Sequence, residues 1–278
     1  MKRLHRLFGL LQFAAVVVGV AAPQYRTARE AEPAGRATPN WVLPGGFKRD
    51  VFTFVRVKYH VDGKYGVGHT PRDERWMIDF PEADLNFSFR LQQLTSLKVD
   101  PNTRTLELTE KELYDYPFIY IVEPGRLTFT DEEIAILRDY LLNGGFLMVD
   151  DFWGEREWRN FRQELKRVFP ERESEELPLN HAIFHCVFDL KGKPQIPGEP
   201  HWSEFVASGK TWEREDAKQV DYRGIFDDKR RLMVMICHNT DLGDGWEREG
   251  DNEGYFHQFS EKSAYPLGIN IIYYAMTH

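Results

Sequence analysis

The sequence predicts a doubly wound α/β domain built on a mostly parallel sheet, and three observations lead there. Short runs rich in β-branched and aromatic residues alternate with longer segments of helical period. The helical segments are long enough to carry the chain back across a sheet in right-handed crossovers. One continuous run, "TDEEIAILRDYLLNGGFLMVDD" (130–151), contains a helix start, a helix stop and a buried strand in order. Residues 48–278 fit a single domain of this kind. Hydrophobic residues at 42% and charged residues at 29% supply an ordinary globular core and surface, and the 14% aromatic content suggests clefts lined by rings.

The elements follow along the chain. "DVFTFVRVKYH" (50–60) reads as a strand. "PEADLNFSFRLQQLTSL" (81–97) reads as a helix started by Pro81, with Ala83, Phe87, Leu91 and Leu94 on one face. "TEKEL" (109–113) has capping-box spacing from Thr109 to Glu112 and predicts a short helix; "FIYIVEPG" (118–125) is a strand closed by Pro-Gly. Thr130 and Glu133 form a second capping box, Ile134, Leu137 and Leu141 share a face, and Gly144 ends the helix. After "FLMVDD", the run "EREWRNFRQELKRVF" (155–169) places Trp158, Phe161, Leu165 and Val168 along one stripe and stops at Pro170. "VDYRGIFDDKRRLMVMICHN" (220–239) reads as two strands turned at Asp227-Asp228, and "YPLGINIIYYAMTH" (265–278) as a closing helix.

Ahead of the domain stands a basic start, "MKRLHR", and an uncharged run over 7–22 with Val20 and Ala22 placed for signal cleavage. Residues 1–22 are therefore a signal peptide, with cutting after Ala21 as an alternative, or an uncleaved anchor. Export to a periplasmic or extracellular space follows in either case, with membrane contact only through this segment. Residues 23–47, rich in Pro, Gly, Arg and Ala without apolar period, read as a flexible linker. Export permits disulfides, but Cys186 and Cys237 lie in apolar contexts and read as buried thiols, their pairing left open.

Net charge is −8, which disfavours nucleic-acid partners. The candidate site is the doublet Asp150-Asp151, which ends a buried strand and is followed by Phe152-Trp153-Gly154. Ligands of open α/β sheets sit outside the carboxyl ends of the strands, so the doublet stands where a cleft belongs, with Trp153 as its ring. Adjoining side chains on a strand point to opposite faces, so one carboxylate enters the cleft and the other can cap the helix starting near Glu155. His181 is the second candidate; His185, four residues on, reads as a packing or hydrogen-bonding residue. Ala182 excludes the H-E-x-x-H zinc signature, and no G-x-S-x-G, G-x-G-x-x-G or P-loop occurs. "NTDLGDGWEREGDNEG" (239–254) misses the EF-hand register and reads as a polar loop; Trp76 and Asp79 in "WMIDFPEAD" read as cleft lining or a staple at the helix start. No metal ligands and no cofactor are assigned.

"WMIDFPEADLNFSFRLQQLT", "YPFIYIVEPGRLTFTDEEIAILRDYLLNGGFLMVDDFWG" and "LPLNHAIF" together resemble the bacterial domain-of-unknown-function family 4159 over residues 50–278. That resemblance implies the class I glutamine amidotransferase-like and trehalose-utilisation-like superfamily, a flavodoxin-like sheet, and an exported or envelope setting. It also implies a cysteine nucleophile at a strand-to-helix elbow, where this chain has "VDDFWG". The expected function is a non-amidotransferase module that binds a small molecule or glycan through Asp150, Asp151, Trp153 and His181, or serves a structural role with envelope proteins as partners. The alternative is a metal-assisted or acid–base hydrolase using Asp150, Asp151 and His181.

Overall fold

The apolar runs do form strands, and their alternation decides which side chains face which layer. A computed structural model describes residues 25–33, 38–43, 50–61 and 75–278, so the proposed leader lies outside the described residues. The strands are β1 (Val55–Lys58), β2 (His60–Val61), β3 (Arg104–Glu107), β4 (Phe118–Val122), β5 (Leu127–Thr128), β6 (Phe146–Asp150), β7 (Glu175–Glu176), β8 (Asp221–Phe226) and β9 (Leu232–His238). Seven of them make one sheet in the order β3-β1-β4-β6-β9-β8-β7, and β2 pairs with β5 in a small ribbon. β3, β1, β4, β6 and β9 run parallel, while β8 and β7 close one side antiparallel. The architecture is a mixed α/β fold with a mostly parallel sheet. From β1 the chain goes first to β3 and then back to β4 on the other side, which puts the topological switch between β1 and β4.

Helices cover both faces. Phe118, Tyr120 and Val122 of β4 and Phe146 and Met148 of β6 pack in one apolar layer with α1 (Glu82–Leu94). Their neighbours Ile119, Ile121, Leu147 and Val149 pack in the other, with α2 (Asp131–Leu142) and α3 (Gly154–Val168). This two-residue alternation is what a sheet buried on both faces requires. α4 (Trp202–Ser208), α5 (Leu242–Glu247), α6 (Glu253–Tyr255) and α7 (Tyr265–Thr277) complete the set, and π-helical turns over Phe256–Ala264 join the last two. α5 and α7 join α1 on its face through Trp246, Leu267 and Ile271. Among the described residues no helix is long and apolar enough to cross a membrane.

The Thr130 capping box is present: the Thr130 hydroxyl accepts from Glu133 N at 3.2 Å, and Glu133 Oε2 accepts from Thr130 N at 2.7 Å. The box expected at Thr109 does not form. A 3-10 turn over Lys111–Asp115 starts from Glu110 with no side-chain cap, and Glu112 pairs with Arg104 instead. Described parts of the segment read as a linker touch the domain. Ala28 is buried, Thr105 N donates to Arg26 O at 2.9 Å, and the Trp41 indole donates to Val99 O at 2.9 Å. β3 is an edge strand, and an edge with free amides and carbonyls is stabilised by any segment that covers it. Both cysteines are free: Cys237 is buried on β9, and half-buried Cys186 donates to Asn270 O at 3.1 Å.

Candidate functional site

The carboxyl ends of the parallel strands are where the backbone departs from its relaxed form. β4, β6 and β9 each exit through a non-glycine residue with left-handed backbone: Glu123 (φ 46°), Asp151 (φ 55°) and Asn239 (φ 62°). Asp79, which precedes α1, has φ 62°. Asn and Asp tolerate this region and Glu does so less readily, so strain recurs along one edge of the sheet. Asn239 repays it locally, since its Oδ1 accepts from Gly154 N at 2.8 Å and thereby fastens the start of α3. Of the acidic exits, Glu123 pairs with Arg75 and Asp151 joins other acids.

Arg56 sets the position of Asp79. It rises from β1 fully buried, and Nε lies 3.0 and 3.1 Å from the two oxygens of Asp84 on α1. Its NH1 donates to Trp76 O at 3.0 Å and Ile78 O at 2.9 Å, so the turn leading into Asp79 hangs from one guanidinium. Burial alone would lower the Arg56 pKa, but Asp84 more than offsets it and the group stays charged.

Asp150 has the parity of Phe146 and Met148 and so faces α5. Its Oδ2 accepts from Leu242 N at 2.8 Å and Gly243 N at 3.0 Å, the first amides of that helix, and from the Tyr120 hydroxyl at 3.4 Å. Burial pushes the Asp150 carboxyl up to about 7 against the pull of those donors. Its Oδ1 is buried and accepts no hydrogen bond.

α5 then delivers three more acids. Asp241 caps it, with Oδ1 accepting from Asp244 N at 2.7 Å, and Asp244 and Glu247 follow at one-turn spacing. Asp79, Asp151 and Asp241 each bring an oxygen within 4.8 Å of the other two; Asp79, Asp244 and Glu247 do the same. Two glycines make this crowding feasible. A Cβ on Gly243 would stand 2.2 Å from Asp79 Oδ2, and one on Gly198 would stand 3.0 Å from Asp244 Oδ2 and 3.2 Å from Asp241 Oδ2. The backbone beside Gly198 also contributes donors: Gly198 N to Glu213 Oε1 at 2.8 Å and Glu199 N to Asp244 Oδ2 at 2.5 Å.

Burial, and then the charges of Asp244 and Glu247, hold the Asp79 carboxyl well above the usual range. Burial followed by Glu123 and Asp79 does the same to Asp151, and burial followed by Asp151 and Asp244 to Asp241. Among the described residues no Lys or Arg forms an ion pair with Asp79, Asp151 or Asp241. Positive charge stands farther out: Arg75 pairs with Glu123, and Arg248 Nε lies 3.1 Å from Asp244 Oδ1 and 2.7 Å from Glu247 Oε2. An all-carboxylate donor set suits a hard divalent cation such as Mg²⁺, Mn²⁺ or Ca²⁺, and its convergence fits such an ion.

A family model described as a domain of unknown function, DUF4159, matches residues 53–276, which take in both strand ends and every acid of the cluster. The chain belongs to the DUF4159 family. No curated protein matches it.

In this DUF4159 chain the residues expected from sequence divide. Asp151 joins the cluster, and its Oδ1 accepts from the Trp153 indole at 3.1 Å. Trp153 is buried, so its ring orients a carboxylate rather than lining an open cleft. Asp150 is a cap, but of α5; α3 starts at Trp153 with no side-chain cap of its own, and Trp153 N instead donates to Glu157 Oε2 at 2.9 Å. His181 is not brought to this edge. Its Nδ1 accepts from Ile183 N at 3.3 Å to cap a 3-10 turn, and its ring lies 6.3 Å from Phe226, which pairs with the first residue of β9 at the amino edge. His185 hydrogen-bonds to Asp189 and Leu179 O.

Four residues of the acid cluster were not singled out as ligands by the sequence. Asp241, Asp244 and Glu247 sit in the stretch read as a polar loop, of which Leu242–Glu247 is in fact a buried helix, and Asp79 sits in the stretch read as lining or staple. The three-residue spacing of the acids from Asp241 to Glu247 was the available signal.

Proposed function

We propose that this protein is an exported ligand-binding module that holds a divalent cation on Asp79, Asp151 and Asp241 and captures an oxygen-rich small molecule or glycan through it. The convergence of those three acids, without a Lys or Arg ion pair among the described residues, carries the reading. Buried carboxylates at this density are either protonated or balanced by cations, and a hard cation with unfilled positions recruits hydroxyl and carboxylate oxygens. The chain order of the parallel strands, with the second outside the first and the third to fifth on the other side, supports the flavodoxin-like, amidotransferase-like class. Asp151 occupies the strand-to-helix turn at the end of β6, and Cys237 is buried within β9, which supports a non-amidotransferase role. Residues 1–22 support export.

Metal-assisted or acid–base hydrolysis is the second reading, favoured by the same convergence of Asp79, Asp151 and Asp241, since a divalent cation held there activates a water. It proceeds without His181. Thermal melting of the chelator-treated full chain against Mg²⁺, Mn²⁺ and Ca²⁺ tests the common premise. At least one ion raises the melting temperature, and Asp79→Asn removes the rise; a chain that responds to none of them does not use this site for cations. Turnover of glycosides or esters that depends on the same ion would select the second reading.

A further inference from the structure

We propose that the site takes two divalent cations, with Asp79 as the bridge between them. The proposal rests on the cation reading above and extends it to the second set of acids, Asp79, Asp244 and Glu247, whose oxygens, like those of Asp79, Asp151 and Asp241, lie within 4.8 Å of one another. Asp79 alone belongs to both sets. A carboxylate has two oxygens and can give one to each ion, the arrangement by which paired cations share a ligand. Its Oδ2 is shut off from solvent and accepts no hydrogen bond, although buried polar atoms are nearly always satisfied. The bare Cα of Gly243 leaves room for that oxygen over the start of α5.

Charge supports a second ion. When ionised, Asp79, Asp151, Asp241, Asp244 and Glu247 carry five negative charges. Arg248, which bridges Asp244 and Glu247 through Nε, cancels one, and a single divalent cation cancels two more. Two uncompensated charges would remain among buried groups, which is costly. A second divalent cation brings the balance of these five acids and Arg248 to zero. The guanidinium already at the edge of the second set shows where positive charge is drawn, and it also competes with the incoming ion. The second cation is therefore the weaker one.

The test counts Mn²⁺ on the full chain, stripped with chelator and reloaded, by equilibrium dialysis and by electron paramagnetic resonance. Two ions per chain with an exchange-coupled signal are expected. Glu247→Gln and Asp241→Asn each reduce this to one ion with an uncoupled signal. Arg248→Gln keeps two and tightens the weaker by about tenfold, because a competing charge is gone. Circular dichroism confirms that each variant is folded, and Arg248→Gln provides a gain that misfolding cannot imitate. One ion in the wild type, unaltered by Glu247→Gln, overturns the pair and leaves the single-cation reading standing. No bound ion overturns both.

Discussion

The two ends of the sheet treat their polar groups in opposite ways. At the amino edge Arg231 donates to the carbonyls of Leu141 and Gly145 and pairs with Asp227, and the Tyr140 hydroxyl donates to Tyr116 O. These charges and donors meet complements within the chain. At the carboxyl edge Asp79, Asp151 and Asp241 meet one another. Asp84, a few residues from Asp79, shows what a closed arrangement looks like: both its oxygens accept from Arg56, and the pair is fully buried. The same chain therefore pairs one buried acid completely and leaves its neighbours to be balanced by protons or by cations from outside.

Removing the partner of the closed pair gives the largest expected effect. Arg56→Met strands Asp84 and releases the turn before Asp79, and should cost about 3–5 kcal/mol in chemical denaturation. An effect below about 1 kcal/mol would erase the distinction between the two kinds of buried acid. Next comes pH. The folded-state pKa of Asp150, about 7, lies above its ordinary value of 3.8, so the folded protein holds that proton more tightly than the unfolded chain. Its contribution is fully present below about pH 4 and is lost as pH rises through 7, a change on the order of 4 kcal/mol. Asp79, Asp151 and Asp241 are shifted in the same direction, so urea titrations in chelator should show stability falling between pH 4 and 8. A rise over that interval would contradict the uncompensated cluster.

Gly243→Ala places a methyl against Asp79 Oδ2 and should weaken divalent-ion binding by about tenfold, about 1.4 kcal/mol by calorimetry, while the fold persists. His181→Ala is the smallest change. It removes the cap of a 3-10 turn at the amino edge, costs about 0.5–1 kcal/mol, and leaves the response to cations untouched.

Much of this contrast was legible in the sequence. The strands β4 and β6, the Thr130 capping box and the placement of Asp150-Asp151 at a strand end follow from local composition and cap chemistry, and each survives folding. The partners of the doublet were not legible, because they come from segments remote in the chain. Asp151 meets Asp79 through the turn that Arg56 suspends, and meets Asp241 only once Asp150 has anchored α5 to β6. A hydrophilic stretch such as "TDLGDGWE" looks like surface when its neighbours in space are unknown. Its burial depends on Trp246 packing 4.3 Å from the ring of Phe87 on α1, a contact between residues 159 positions apart that no local pattern announces. The placement of His181 was not legible for the converse reason, since its isolated polarity said nothing about which end of the sheet it would reach.

The most direct measurement compares Asp151→Asn with the wild type in two solutions at pH 8, one containing chelator and one saturating Mn²⁺. Asn keeps the left-handed backbone and an oxygen for the Trp153 indole, so the substitution removes charge and little else. In chelator the variant should be the more stable by about 1–2 kcal/mol, because a repelled carboxylate is gone. In Mn²⁺ the order should reverse, with the wild type gaining about 2.7 kcal/mol at a hundredfold excess over its dissociation constant. The same sign in both solutions would contradict a carboxylate cluster built to be balanced by a bound cation.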